Sequence, residues 1–178
     1  MALSYALLAV LSREKLTGYD LAQRFSGSAG YFWQASHQQI YKTLKKLAEA
    51  DYVSLEIHPQ QKRPDSKVYA LTSQGEQYLL AWLKGPVDPV VLRDPLLVKL
   101  YAGGFTTSDV LSKELERHQN IHLEKLQAYE AIQAAYFQEA PATLGQLCIQ
   151  LTLESGLSYE RSWLKWCRES IAAIAQFS

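Results

Sequence analysis

The stretch SHQQIYKTLKKLAEADYVSLEIH, residues 36–58, changes its hydrophobic period halfway along. Ile40, Leu44 and Leu47 recur at helical spacing, and at 100° per residue they share one face. Gln38, Lys42, Lys45 and Glu49 fall on the opposite face, with Gln39, Thr43 and Lys46 beside them. From Val53 onward the period is two. Val53, Leu55 and Ile57 alternate with Ser54 and Glu56, the pattern of a strand buried on one side. A helix that runs into a strand with almost no connector must dock its apolar face elsewhere while the strand leaves beside it. Few folds satisfy both demands.

The flanking segments supply the missing parts. LSYALLAVL, residues 3–11, reads as a buried helix with Leu3, Leu7, Leu8 and Leu11 on one side. Thr17, with Asp20 three residues on, caps a second helix that buries Leu21 and Phe25. SGSAG breaks that helix, and Ser36 with Gln39 forms a capping box that opens the third at His37. His37 falls towards the buried side, as a packing or capping residue. After the strand, PQQKRPDS is a loop and KVYALT a second strand, so the pair is a hairpin with a basic tip. Ser73 and Glu76 cap a fourth helix, which ends at GPVDP. The order predicts a winged helix-turn-helix domain over residues 1–86.

Residues 87–178 differ. RDPLLVKLYAGG reads as a short helix closed by Gly103 and Gly104. Thr106 with Asp109 opens a long helix to about Gln138, and a second long pattern runs from Thr143 to Phe177, with a bend expected at Gly156. Tyr129, Ile132, Tyr136 and Phe137 on one helix need cover, as do Tyr159, Trp163, Trp166, Ile174 and Phe177 on the other. One helix pair cannot bury both sets, so a second copy must supply the missing helices, which predicts a twofold dimer. The expected fold class is therefore mainly α with a small β-wing: a winged helix-turn-helix followed by a long-helix dimerisation domain.

Composition matters here chiefly through charge. The 178 residues carry 18 Lys+Arg and 18 Asp+Glu, but residues 1–85 hold ten basic against seven acidic side chains. The first half is thus the half suited to a polyanion. No apolar run is long enough for a membrane span. The apolar start has no basic residue before it and no small-residue cleavage site, so it is expected to be a helix of the fold rather than a leader. Cys148 and Cys167 are read as buried structural thiols, which suits the cytoplasm.

YALLAVLSREKLTGYDLAQRF, IYKTLKKLAEADYV, KVYALTSQGEQYL and LTLESGLSYERSWLKWC, in this order, resemble the motifs of PadR-like transcriptional regulators. The resemblance implies a dimeric bacterial repressor that sits on palindromic double-stranded operator DNA and leaves it on binding a small aromatic or hydrophobic ligand. On that reading the third helix enters the major groove. Gln38, Gln39 and Lys42 become candidates for base edges, and Tyr41, Thr43, Lys45 and Lys46 for phosphates. Lys62, Arg63 and Lys67 would reach the adjacent backbone or minor groove from the wing. Tyr129, Tyr136, Phe137, Tyr159, Trp163 and Trp166 form either a dimer core or a flat pocket for a planar effector.

Other chemistry is not signalled. His118 and His122 are spaced i, i+4 but lack a third ligand, so they are read as a solvated or interface pair with no metal. No phosphate-cradling loop or nucleophile elbow is present, so neither an enzyme nor a cofactor is expected. A winged-helix module that binds protein and not DNA stays open as the alternative.

Overall fold

The computed structural model describes residues 2–27, 30, 33–58 and 66–177. The chain divides into two compact units, Met1–Asp88 and Pro89–Ser178. In the first, α1 (Ala2–Leu11), α2 (Gly18–Ser26) and α3 (His37–Glu49) surround a core in which Leu7, Leu8, Leu21, Ile40 and Leu44 are wholly inaccessible. These are the residues that helical periodicity placed inward. At about 1.5–3 kcal/mol for each buried aliphatic side chain, they hold the three helices together.

A three-stranded antiparallel sheet completes the unit, in the order β1 (Leu16–Thr17), β3 (Ser66–Leu71), β2 (Val53–His58). Leu16 pairs with Tyr69 and Thr17 with Val68. Strand β1 departs from the sequence expectation, since two residues carry no period. Strand β2 is buried on one side only at its start. Val53 is inaccessible, but Leu55 and Ile57 are exposed, Ile57 by 57%. Leu55 and Ile57 have the period of a buried face but no cover among the described residues of their own unit. His37, at the first position of α3, is exposed and not on the buried side.

The junction of α3 and β2 answers the question raised by the change of period. Asp51 adopts a left-handed conformation with φ 56°. The Tyr52 N–H bonds to the Leu47 carbonyl at 2.9 Å and the Asp51 N–H to the Ala48 carbonyl at 3.1 Å. This is a Schellman ending with Asp where Gly is usual. It satisfies the free carbonyls of the helix and turns the chain within two residues. The helix α4 (Ser73–Leu83) then locks the corner. Its cap is Thr72, one residue before the expected Ser73. The Thr72 hydroxyl accepts from Gly75 N–H at 3.0 Å and donates to the Asp51 carbonyl at 2.6 Å. Tyr52, Tyr78, Tyr5 and Trp82 continue this tie as a column of stacked rings, with successive centroids 4.2, 5.0 and 4.5 Å apart.

The second unit holds α5 (Pro95–Tyr101), a 3₁₀ turn at Gly103–Phe105, α6 (Ser108–Tyr136), α7 (Leu144–Ile174) and a closing 3₁₀ turn. Thr107 caps α6, one residue later than expected, by accepting from Val110 N–H. Thr143 and Gln146 make the capping box of α7, which stays helical through Gly156. Helices α6 and α7 run antiparallel: Leu115 packs with Cys167, and His122, further along α6, meets Glu160, further back on α7. Leu96, Leu115 and Cys167 form the centre of its core, with Trp163 and Trp166 against them.

A β-carbon at Gly75 would overlap the carbonyl oxygen of Tyr52, which is backbone and cannot move aside, whereas one at Gly104 would meet nothing within 4 Å. Gly75→Ala should therefore cost about 1–3 kcal/mol or more in urea denaturation, through overpacking. Gly104→Ala should stay within about 0.5 kcal/mol of wild type. Equal losses for the two would contradict the proposed role of the corner.

Candidate nucleic-acid interface

Helix α3 owes its orientation to both ends. At the N-terminus the Ser36 hydroxyl accepts from Gln39 N–H at 3.3 Å, and the Gln39 side-chain carbonyl accepts from Ser36 N–H at 2.9 Å. At the C-terminus the Schellman turn holds it. Between them Ile40, Leu44 and Leu47 are buried, and Gln38, Gln39, Lys42, Lys45 and Lys46 are exposed. The expected polar face is therefore open to solvent along its whole length.

The members of that face are not equivalent. Gln38 keeps both ends of its amide available. Gln39 has its carbonyl engaged in the cap, so only its NH₂ can serve another partner while the cap holds. Thr43 is half-buried and donates its hydroxyl to the Gln39 carbonyl at 2.7 Å. The Lys45 ammonium stands 3.7 Å from Glu49, an exposed pairing worth little. Tyr41 is 44% exposed. It lies close to Tyr69 of β3, whose hydroxyl is raised above its ordinary value by burial and then by the Tyr41 phenol. Lys67 is exposed on β3 opposite Ile57. Lys62 and Arg63 lie outside the described residues. Lys15, which the sequence reading passed over, is exposed beside the sheet and 3.3 Å from Glu56.

In the second unit the aromatic set divides. Tyr136 is 74% and Tyr159 53% exposed, while Tyr129, Phe137, Trp163 and Trp166 are half-buried within their own chain. At the centre sits a pair that periodicity did not single out. His122, at 7% exposure, and Glu160, at 3%, meet through a hydrogen bond between Nδ1 and Oε2. His122 is thus neither solvated nor an interface residue, and a carboxylate on α7 explains its burial. Trp163 stacks on the imidazole at 4.7 Å, and Tyr159 approaches it edge-on at 6.2 Å. His118 is half-buried; burial and then Arg117 lower its basicity. Among the described residues no group of three or more His, Cys, Asp or Glu could hold a metal ion. Cys167 is buried, and its thiol is raised by that burial, but Cys148 is exposed, against expectation. Among the described residues no helix is long and apolar enough to cross a membrane.

Comparison with known proteins covers both units. Residues 7–81 match the profile of the transcriptional regulator PadR-like family, and residues 92–175 that of the virulence activator alpha C-term family. A Mycobacterium tuberculosis protein named "Probable transcriptional regulator Rv1176c" is 33% identical, over 99% of each chain. The negative transcriptional regulator PadR of Bacillus subtilis is 30% identical over 97% of each. Its structure in complex with operator DNA superposes with TM-score 0.82, at 27% identity, over 98% of this chain and 99% of that one. The same protein in complex with p-coumaric acid gives 0.75 at 27% identity, over 97% and 95%. The Vibrio cholerae virulence activator AphA gives 0.79 at 30% identity, over 99% of both.

The Glu114 carboxyl on α6 accepts from Arg117 and Lys99, which hold it down to about 2 from the ordinary carboxylate value of 4.5. A carboxyl depressed by folding stabilises the fold above its unfolded value, and that contribution fades as pH falls from about 4.5 through 2. Glu114→Gln should therefore lower the melting temperature slightly at pH 7, and the gap to wild type should close as the pH approaches 2. A gap that widens in acid would reverse the assignment.

Proposed function

The chain belongs to the PadR-like family of transcriptional regulators, and from that premise we propose a dimeric, sequence-specific DNA-binding repressor, released by a small aromatic or hydrophobic ligand. The observation that carries this reading is α3: a helix capped at both ends, apolar face buried, with two glutamines and three lysines held in solvent. A B-DNA major groove admits one such helix. Gln38 and Lys42 read base edges, as adenine and guanine acceptors require, and Gln39 adds its NH₂. Tyr41, Thr43, Lys45 and Lys46 take phosphates, and Lys62, Arg63 and Lys67 extend the contact from the wing. The phosphate contacts position the protein without selecting sequence.

Residues 87–178 are the dimerisation and effector-binding domain in this reading. Leu144, Leu147 and Leu151 expose an apolar stripe on α7, and Tyr136 and Tyr159 are exposed in the same unit. A second copy that covers this surface brings two α3 helices to one palindromic operator, their centres about 34 Å apart for one helical turn. The aromatic set Tyr129, Tyr136, Phe137, Tyr159, Trp163 and Trp166 is the place for a planar ligand. Such a ligand weakens DNA binding only by favouring a dimer arrangement with the wrong spacing. The complexes of Bacillus subtilis PadR with operator DNA and with p-coumaric acid support both halves of this reading. The name of the Vibrio relative favours activation as a second mode, which the position of the operator relative to a promoter decides.

The test is a mobility shift with genomic fragments, followed by affinity against salt on the selected duplex. Lys42→Ala should reduce the salt slope by about 0.9, the share of one phosphate-neutralising charge, if it contacts backbone. If it reads a base, it should instead relax one position of the selected site by about 1–3 kcal/mol. A wild-type protein with no salt-dependent shift favours the protein-interaction alternative. Sedimentation should find wild type dimeric at micromolar concentration and Leu147→Asp with Leu151→Asp monomeric. A wild-type monomer there refutes the dimer.

A further inference from the structure

Gly18 opens α2 and is buried, although it faces the helix proposed to meet DNA. A β-carbon built there would lie 2.5 Å from Cε1 of Tyr41, 3.3 Å from Cζ and 3.4 Å from Cδ1. One whole edge of the phenol ring therefore rests on the bare backbone of α2. The ring also neighbours Tyr69, which pairs in the sheet with Leu16, two residues before Gly18. Tyr41 is thus held between the start of α2 and β3, yet remains 44% exposed beside Lys42 and Lys45 on α3.

Gly18 differs from the other crowded glycines of this unit, Gly30 and Gly75, in what crowds it. At Gly75 the obstacle is a backbone carbonyl. At Gly18 it is the end of a side chain with two free torsions, so an added methyl group pushes the phenol aside and leaves the backbone in place.

We propose that Gly18 is a positioning residue for DNA binding: its missing side chain makes the slot that aims the Tyr41 hydroxyl at a phosphate flanking the groove occupied by α3. The inference rests on the DNA-binding reading of α3. Gly18 itself touches no nucleic acid. A phenol held in a slot keeps few rotamers, so little freedom is lost when it bonds to a phosphate oxygen. A hydroxyl also contributes without releasing a counterion, unlike a lysine.

The experiment uses the full chain on the DNA fragment it selects from a genome, with thermal melting alongside. Gly18→Ala should weaken binding about tenfold, the scale of one hydrogen bond to a charged group. The salt slope should be unchanged, because no charge is lost. Tyr41→Phe should weaken binding by a similar factor. In a Tyr41→Ala background, adding Gly18→Ala should change affinity little, since the ring it displaces is already gone. If Gly18→Ala lowers the melting temperature, Tyr41→Ala in the same chain should restore it.

Wild-type affinity for Gly18→Ala overturns the proposal, as does a loss that simply adds to that of Tyr41→Ala. A melting defect that Tyr41→Ala does not relieve overturns it too, by placing the clash elsewhere. Lys42→Ala and Lys45→Ala, measured together, keep the premise separate. If they weaken binding while Gly18→Ala does not, only the positioning role fails. If wild type binds no DNA, the premise and the proposal fall together.

Discussion

The corner between α3 and β2 is the constraint on which the first unit depends. A left-handed Asp51, a Tyr52 N–H returned to Leu47 and a Thr72 hydroxyl on the Asp51 carbonyl turn the chain within two residues. The Tyr52 bond satisfies a carbonyl that the end of α3 leaves free, and the Thr72 bond ties the residue beyond that end to the start of α4. Without them α3 would fray or the strand would start late, and the polar face of α3 would lose its fixed relation to the hairpin. Thr72 belongs both to the corner and to the cap of α4, so one hydroxyl couples the end of one helix to the start of the next. The stacked rings from Tyr52 to Trp82 carry that coupling on to α1.

The second unit follows a different logic. Two long antiparallel helices and one short one cannot enclose their own apolar surface, and the core of this unit is correspondingly thin. At its middle lies a hydrogen-bonded imidazole and carboxyl, both buried, which cost free energy to desolvate and are tolerated because they satisfy each other. Such a pair works as a pin for register: slipping α7 by one turn along α6 would strand two polar groups among Trp163, Leu157 and Leu164. Apolar contacts alone discriminate poorly between neighbouring registers in a two-helix layer. The exposed leucines of α7 are the complement of this thin core, and a second copy is the economical cover for them.

Much of this was legible in advance where a residue's role is set by its neighbours in the chain. The inward Ile40, Leu44 and Leu47, the capping box of Ser36, and the hairpin follow from period and cap chemistry. Where the structure departs from local pattern, the cause is often a partner that is distant in sequence or absent. The cap of α4 moved to Thr72 because Asp51, 21 positions away, offered it a second hydrogen bond. Strand β1 escaped notice because only its pairing with Tyr69 makes it a strand. Leu55 and Ile57 have the right period for burial but nothing to be buried against. His122 was paired with the wrong residue because Glu160 lies 38 positions away and shares no local pattern with it.

The linear chain by itself determined which helices form, to within about a residue where they begin, and which faces are apolar, since hydrogen bonding between residues four apart and the burial of periodic side chains are local matters. It also determined the chemistry of the α3 face, and through its motifs the family. Only the tertiary structure decided that Tyr41 lies in a slot at Gly18, and that a histidine and a glutamate meet in the heart of α6 and α7. Those relations depend on distances between segments far apart in sequence. Such distances are set by packing, which sums many weak contacts at once and leaves no trace in any short window.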